Sequence, residues 1–300
     1  MQHGPAVRRR KLGEELRKLR LAAGLTSRNA GLLAGWHQSK VSRIETGTSG
    51  VRTEDVSLLL DVYGVADPQL RTLLETLAGA ADGAGSGWWH AYRGLLPPEY
   101  RDFISLETQA CAVRTLETSV VPGLLQTPDY ARAVTRAALD DLPAATVNSL
   151  VEVRIARQEV LRTENPLKLS AVLDESALRR EVGGGGVMRE QLRALAESAQ
   201  LPHVRLQVMP FTVGGYAGLT GPFVIFSFPN SSDLDVVVLD HLTSSLYLER
   251  REDLEVYSAA FATMQARALS PADSLDLIAG MIHGAQGGPP CPIPSPTTTT

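Results

Sequence analysis

The sequence of 300 residues is 44% hydrophobic and carries a formal net charge of −4, which favours two ordinary globular domains and excludes a disordered chain. The average charge disfavours a nucleic-acid partner, but the charge is unevenly distributed. Residues 1–65 carry 11 Lys and Arg against 6 Asp and Glu, whereas the other 235 residues carry 18 Lys and Arg against 27 Asp and Glu, so a basic N-terminal part precedes an acidic remainder. The only two cysteines are far apart in the sequence, which excludes a disulfide framework and a zinc ribbon. The sequence has no run of about 18 apolar residues, which excludes a membrane partner, so we expect a cytoplasmic protein.

The first 77 residues predict five short helices. The first helix covers residues 11–23 and ends at Gly24, which takes a left-handed conformation without steric cost. Thr26 or Ser27 caps the second helix, whose apolar residues Ala30, Leu33 and Ala34 precede Gly35.

The third helix begins near His37 or Gln38 and runs to Glu45. A fourth helix capped by Thr53 and a fifth started by Pro68 complete a compact bundle. We therefore predict a helical N-terminal domain at residues 8–77, a flexible linker at 78–94, a C-terminal domain at 95–283 and a disordered tail at 284–300.

The C-terminal domain mixes helices with short strands. The predicted fold class is thus an all-α helix-turn-helix bundle followed by a mixed α/β (α+β) domain. Residues 97–136 read as mostly helical, and further helices are predicted at 148–161, 188–199 and 252–268. Strands are predicted at residues 167–173, 204–209, 223–228, 236–239 and 245–248.

Residues 25–45 join two short helices by a tight turn, the arrangement of a helix-turn-helix. Gly31 lets the two helices approach closely, and Gly35 supplies the backbone conformation of the turn. Because Val41 and Ile44 face inward, the polar side chains of the third helix face outward, where they have suitable reach for base edges and phosphates. The expected DNA-binding residues of this helix are His37, Gln38, Ser39, Lys40, Ser42 and Arg43.

This segment, with the flanking residues 8–20, which begin with a basic arm at 8–10, and the flanking residues 51–65, resembles the phage-repressor-like, xenobiotic-response-element (XRE) type of helix-turn-helix regulator. The second helix of that family usually opens Thr-Gln-Glu-Glu-Leu-Ala. Here Ser27 replaces the Gln that braces a phosphate contact, and Arg28 offers a charge in its place. The resemblance implies double-stranded DNA as the partner and adds Thr26, Ser27 and Arg28 to the expected site.

Each DNA-binding module would bury little surface alone, so we also expect a homodimer. Two modules related by a two-fold axis would contact half-sites about 34 Å apart on one face of the DNA.

Residues 95–280 resemble a large actinobacterial group of repressor-like regulators that share one uncharacterised, antitoxin-like C-terminal domain. The motifs are VPGLLQTPDYARA from Val121, VRIARQEVL from Val153, AVLDESALRREVGG from Ala171, MREQL from Met188, QVMPF from Gln207, GPFVIFSF from Gly221 and ALSPADS from Ala268. The resemblance leaves two roles open. The domain senses a small-molecule effector, or it binds a small partner protein and DNA binding autoregulates the pair.

An enzyme is the third alternative. Asp174 and Glu175 end a predicted strand and could pair with Asp240 or Glu249 as acid and base, but carboxylates at strand ends are common on any surface. The glycines at 183–186 are not followed by the Lys-Ser/Thr of a phosphate loop. The scattered histidines lack metal-ligand spacing. We therefore expect no catalytic residue, no metal site and no cofactor.

Two further features of the sequence, an aromatic cluster and a glycine-rich loop, each allow more than one interpretation. An aromatic cluster follows the predicted linker and either belongs to the core or lines a pocket or partner groove; it comprises Trp88, Trp89, Tyr92 and Tyr100. A glycine-rich loop at residues 214–221, beside Phe211 and Tyr216, suits a ligand lid or a binding edge.

Overall fold

The computed structural model describes residues 4–82, 88–139, 141–228, 234–241 and 244–284. Residues 83–87 of the predicted linker and residues 285–300 of the predicted tail lie outside this description. Five helices form an N-terminal bundle, as predicted: α1 (Gly4–Ala22), α2 (Ser27–Leu33), α3 (Gln38–Glu45), α4 (Thr53–Val62) and α5 (Pro68–Asp82).

Three helix ends in the bundle differ from the prediction. Thr53 is the first residue of α4 and Arg52 is its N-cap, without a side-chain cap, so the prediction that Thr53 caps this helix is wrong. Helix α1 begins at Gly4, so the backbone of residues 8–10 is helical and does not form a separate arm. Helix α5 continues to Asp82, five residues into the predicted linker. The reason is that Ala78 is fully buried and extends the apolar stripe of α5 by a further turn.

The core of the bundle is built from leucines of α1 and α4 around the inward face of α3. Ala30 and Ala34 of α2 are buried, whereas Leu33 is 62% exposed. The buried side of α2 is centred on Ala30, Gly31 and Ala34, because Gly31 lies directly against the turn before α3. Leu33 therefore lies outside the buried arc.

The C-terminal domain is built on a six-stranded mixed sheet, which confirms the predicted α+β class. The strand order is β3-β2-β1-β4-β5-β6, in which β1, β2 and β3 are parallel and β4, β5 and β6 form an antiparallel meander. The strands are β1 (Ala112–Glu117), β2 (Lys168–Asp174), β3 (Val204–Met209), β4 (Phe223–Ser227), β5 (Val236–His241) and β6 (Ser244–Leu248).

Helices cover both sides of this sheet. They are α6 (Pro98–Gln109), α7 (Pro128–Ala138), α8 (Ala144–Arg157), α9 (Glu175–Arg179), α10 (Gly185–Ser198), α11 (Arg251–Arg267) and α12 (Pro271–Gly284). Among the described helices none combines the length and the apolar composition that a bilayer span requires.

The sequence prediction missed one strand and two helices. Strand β1 lies inside residues 97–136, which read as mostly helical, yet it pairs with β2 on one side and β4 on the other. Its six residues include Arg114 and Glu117, so the local pattern gives little strand signal and the two neighbouring strands determine its conformation. The missed helices are α9, a short helix that contacts β2, and α12, which packs against α10 and β3.

The bundle and the C-terminal domain share one continuous core. Helices α1 and α5 pack against α6, and Leu12 and Leu16 belong to the same buried cluster as Leu106 and Phe226. The ammonium of Lys11 donates a hydrogen bond to the backbone carbonyl of Asp235, just before β5. The DNA-binding domain is therefore packed directly on the C-terminal domain.

Candidate nucleic-acid interface

His37 fixes the start of α3. Its backbone is extended, and its Nδ1 accepts a hydrogen bond from the backbone N–H of Ser39 at 3.2 Å, which caps the helix. The first helical residue is therefore Gln38. Because each residue of a helix is rotated by about 100° from the one before it, this start determines which side chains face outward.

The outward face of α3 is polar and continuous. Gln38 and Ser42 form one exposed row at a spacing of four residues, and Ser39 and Arg43 form the next. The opposite face is buried through Val41, Ile44 and Glu45. The exposed rows place an amide, two hydroxyls and a guanidinium on one surface, which are groups that can donate to and accept from base edges.

The N-terminal end of α2 lies beside this face. Thr26 caps α2 by accepting a hydrogen bond from the backbone N–H of Asn29 at 3.1 Å, and Arg28 is exposed next to it. The amide of Gln38 donates to the hydroxyl of Ser27 at 3.4 Å, across the gap between the two helices. The structure thus brings together the starts of α2 and α3 and the predicted site residues on them.

Glycine makes this close approach possible, as the sequence predicts. A Cβ atom on Gly31 would lie 3.0 Å from the carbonyl oxygen of Trp36 and 3.3 Å from the backbone nitrogen of Gln38. Gly35 has a φ of +71°, the left-handed conformation that the turn requires. Both predicted roles are confirmed.

Lys40 lies apart from the other predicted site residues, on the side of α3 that faces α4. Its ammonium is 3.0 Å from the Oδ1 of Asp55 and 3.6 Å from the ring centroid of Trp36. These contacts engage its charge within the bundle.

Replacing Lys40 with alanine should therefore affect stability slightly and sequence discrimination little. We expect a loss of less than about 1 kcal/mol, because the ion pair is partly exposed. Denaturant unfolding gives the first quantity, and the ratio of specific to random-DNA affinity gives the second. A large fall in that ratio would show that Lys40 leaves Asp55 to contact a base.

A buried ion pair holds the end of α3 against α1. The Nε and Nη2 of Arg20 donate to the two carboxylate oxygens of Glu45 at 2.6 and 2.9 Å, and its Nη1 donates to the carbonyl oxygen of Leu25 at 2.6 Å. The hydrogen bond to Glu45 raises the pKa of Arg20, against the opposing effect of burial. Burial, with a contribution from Glu45, also raises the pKa of nearby Tyr63.

Sequence reasoning missed this pair, although a signal was present. Arg20 continues the buried stripe of Leu12 and Leu16 at a spacing of four residues, and Glu45 follows Val41 at the same spacing. Two charges of opposite sign on two apolar stripes indicate a buried ion pair.

A second constraint on α3 is its backbone contact with α1. A Cβ atom on Gly13 would lie 2.4 Å from the carbonyl oxygen of Ile44 and 2.6 Å from that of Glu45. Helix α1 therefore supports α3 at a distance that only glycine permits.

The carboxylates considered for catalysis are bonded within the fold. Asp174 accepts hydrogen bonds from the backbone N–H of Ser176 at 2.9 Å and from the hydroxyl of Tyr216 at 2.7 Å. Glu175 accepts from the backbone N–H of Phe211 at 2.8 Å and pairs with Arg179 at 2.6 Å. These contacts give both side chains a structural role, and the one with Tyr216 anchors the glycine-rich loop. Within the described ranges, no group of three metal-ligating side chains comes together.

The aromatic cluster divides between core and cavity. Trp89 is buried, whereas Tyr100 lines a cavity of about 440 Å³ between α6, α7, α8 and the ends of β5 and β6. This volume lies in the range of about 300–1,000 Å³ that is typical of small-molecule sites.

Two family models match the chain. One described as "Helix-turn-helix domain" matches residues 11–74, and one described as "Domain of unknown function (DUF5753)" matches residues 100–280. No curated protein and no solved structure matches. The first match covers α2 and α3 and confirms the helix-turn-helix, and the second covers more than half of the chain.

Proposed function

Because the chain belongs to the family defined by the domain of unknown function DUF5753 and carries a helix-turn-helix domain before it, we propose that it is a sequence-specific transcriptional regulator of the XRE type. The carrying observation is the exposed polar face of α3, held in place by the Arg20–Glu45 pair and by the contact at Gly13.

In this proposal α3 enters the major groove with its N-terminal end first. The amide of Gln38 can bond the two edge groups of adenine, and Arg43 can bond guanine in the same bidentate way. Ser27 and Arg28, beside the start of α3, would contact the phosphates and set the register. The hydrogen bond between Gln38 and Ser27 supports the arrangement, because it orients the amide before DNA arrives.

Selection of bound sequences from a random duplex library with the full chain tests this function. A single enriched motif is the expected result, and absence of enrichment at low salt would overturn it.

On the enriched site, Gln38→Ala should lose about 1–3 kcal/mol of binding free energy, because a bidentate base contact is removed. Affinity for random duplex should stay unchanged, since the phosphate contacts remain. Fluorescence anisotropy on both duplexes measures the two affinities. Gln200→Ala is the matched control, because Gln200 is equally exposed but lies in the C-terminal domain. Equal losses on both duplexes would show that Gln38 touches only the DNA backbone.

We also propose that two chains bind together, since one helix-turn-helix module buries little surface. The enriched motif should then be a near-palindrome with half-site centres about 10 bp, or a multiple of that, apart. Sedimentation of the protein–DNA complex measures the number of chains per duplex. One chain per duplex on a non-repeating motif would contradict this arrangement.

For the C-terminal domain we propose sensing of a small molecule in preference to an antitoxin-like partner. The observation that favours it is the concave cavity between α6, α7 and α8, whose lining mixes apolar and polar side chains as small-molecule sites do.

A further inference from the structure

Arg154 is the most informative residue of this cavity. Its side chain is half-buried, and its Nη1 donates to the amide oxygen of Gln126 at 2.9 Å. Gln126 is itself buried and donates to the carbonyl oxygen of Val121 at 2.7 Å. The guanidinium is thus oriented by a neutral group that does not balance its charge.

Arg157, one turn later on α8, shows the contrast. It donates to both carboxylate oxygens of Glu107 at 2.8 and 2.7 Å and to the hydroxyl of Tyr100 at 2.6 Å. Arg154 forms no such ion pair with any carboxylate in the described part of the chain. A partly buried cation without a counter-ion is costly unless an anion from solution completes the site.

Glu117, at the end of β1, interacts electrostatically with Arg154 but is a poor counter-ion at neutral pH. Burial is the main cause that raises the pKa of Glu117 to about 8; the charge of Asp240 acts in the same direction, whereas Thr115, Arg154 and Arg157 act against it. With its carboxyl neutral, Glu117 leaves the charge of Arg154 available to an anion from solution.

The remaining lining gives the rest of the ligand its character. Phe103 and Leu150 supply apolar walls, whereas Asp240 is exposed at the mouth and repels molecules with several negative charges. We propose that this cavity binds a small organic monocarboxylate with an apolar body, its carboxylate on Arg154, and that occupancy alters DNA affinity. The second half of this proposal rests on the proposed regulatory function.

Two elements connect the cavity to the DNA-binding domain. Helix α6 lines it with Tyr100 and Phe103 and packs against α1 and α5. Strand β5 lines it near Asp240, and the residue before this strand, Asp235, accepts the hydrogen bond of Lys11 from α1. A ligand that shifts α6 or β5 therefore acts on α1, the helix that supports α3.

Calorimetric titration of the full chain with carboxylates of increasing apolar size, from butanoate to 3-phenylpropanoate, tests the site. We expect saturable binding of at least one acid, with one molecule per chain. Isopentylamine and glutarate are the comparison probes and should bind at least tenfold more weakly. Failure of every acid to bind, or equal binding of the amine, would overturn the site.

Variants locate the binding. Arg154→Met should weaken acid binding about 10- to 100-fold, the effect of losing a charge-assisted hydrogen bond, and Arg154→Lys should recover part of it. Arg193→Met, at an exposed ion pair on α10, is the matched control and should bind as the wild type does. Leu150→Trp fills the cavity without removing the charge and should also abolish binding; thermal melting verifies that each variant is folded. Unchanged binding in both Arg154→Met and Leu150→Trp would place the acid elsewhere and refute this site.

Regulation is measured separately. A saturating acid should change affinity for the enriched duplex by about 5- to 150-fold, and the duplex should change acid affinity by the same factor. Acid binding with unchanged DNA affinity would refute the regulatory half alone. A chain that binds no DNA would refute the proposed function, while the titrations still decide whether the cavity binds carboxylates.

Discussion

Replacing Gly13 with alanine should abolish specific DNA binding although Gly13 itself touches no DNA. The added methyl group would lie within 2.6 Å of two carbonyl oxygens of α3, so the two helices must separate. Overpacking of this kind destabilises by about 1–3 kcal/mol or more, and the displaced α3 also loses base contacts worth about 1–3 kcal/mol each.

Hydrogen exchange of peptides from α1 and α3 measures the loss of stability, and fluorescence anisotropy with the enriched duplex measures the loss of specific DNA binding. Gly280→Ala in α12 is the matched control, since apart from its own helix no described atom lies within 4 Å of the added carbon. There the better helix propensity of alanine should leave stability equal or raise it by about 1 kcal/mol. If Gly13→Ala behaves like this control, α1 does not set the position of α3.

Replacing Glu45 with alanine should destabilise the bundle by about 3–5 kcal/mol, because Arg20 is then left buried without its counter-ion. The side chains of both partners are almost fully buried. The double variant Arg20→Met with Glu45→Leu removes both charges. Its loss of stability should be smaller than the sum of the losses in the single variants Arg20→Met and Glu45→Leu, because no uncompensated charge remains.

Hydrogen-exchange protection of peptides from α1 and α3 measures the stability of the bundle in each variant. Glu159→Ala removes one partner of an exposed ion pair with Arg162 and should change stability by less than about 1 kcal/mol. Additive losses in the double variant would show that the pair stabilises through packing alone.

Local patterns were sufficient to predict much of this fold. The five bundle helices follow from their apolar repeats, the start of α2 follows also from its cap at Thr26, and β3 lies at the predicted residues. Strand β1 could not be predicted this way, because its conformation depends on pairing with β2 and β4, which follow it by about 50 and 110 residues.

The candidate site also combines features that local patterns predict with contacts that depend on distant residues. Gly31 and Gly35 follow from the geometry of the turn, and the exposed face of α3 follows once Val41 and Ile44 are placed in the core. The contacts of Lys40 with α4 and of Arg20 with Glu45 join residues 15 and 25 positions apart. Local periodicity can place a charge on a buried stripe, as it does for Arg20 and Glu45, but it does not identify the residue with which that charge pairs.

The length of α3 limits how much sequence one protein chain can recognise. Eight residues span about 12 Å along the helix axis, which matches about four base pairs of duplex. A word of that length recurs by chance every few hundred base pairs, whereas a genome offers about 10⁶ or more competing positions. In the proposed arrangement of two bound chains, the choice of one promoter would therefore depend on two short sequences held at a fixed spacing.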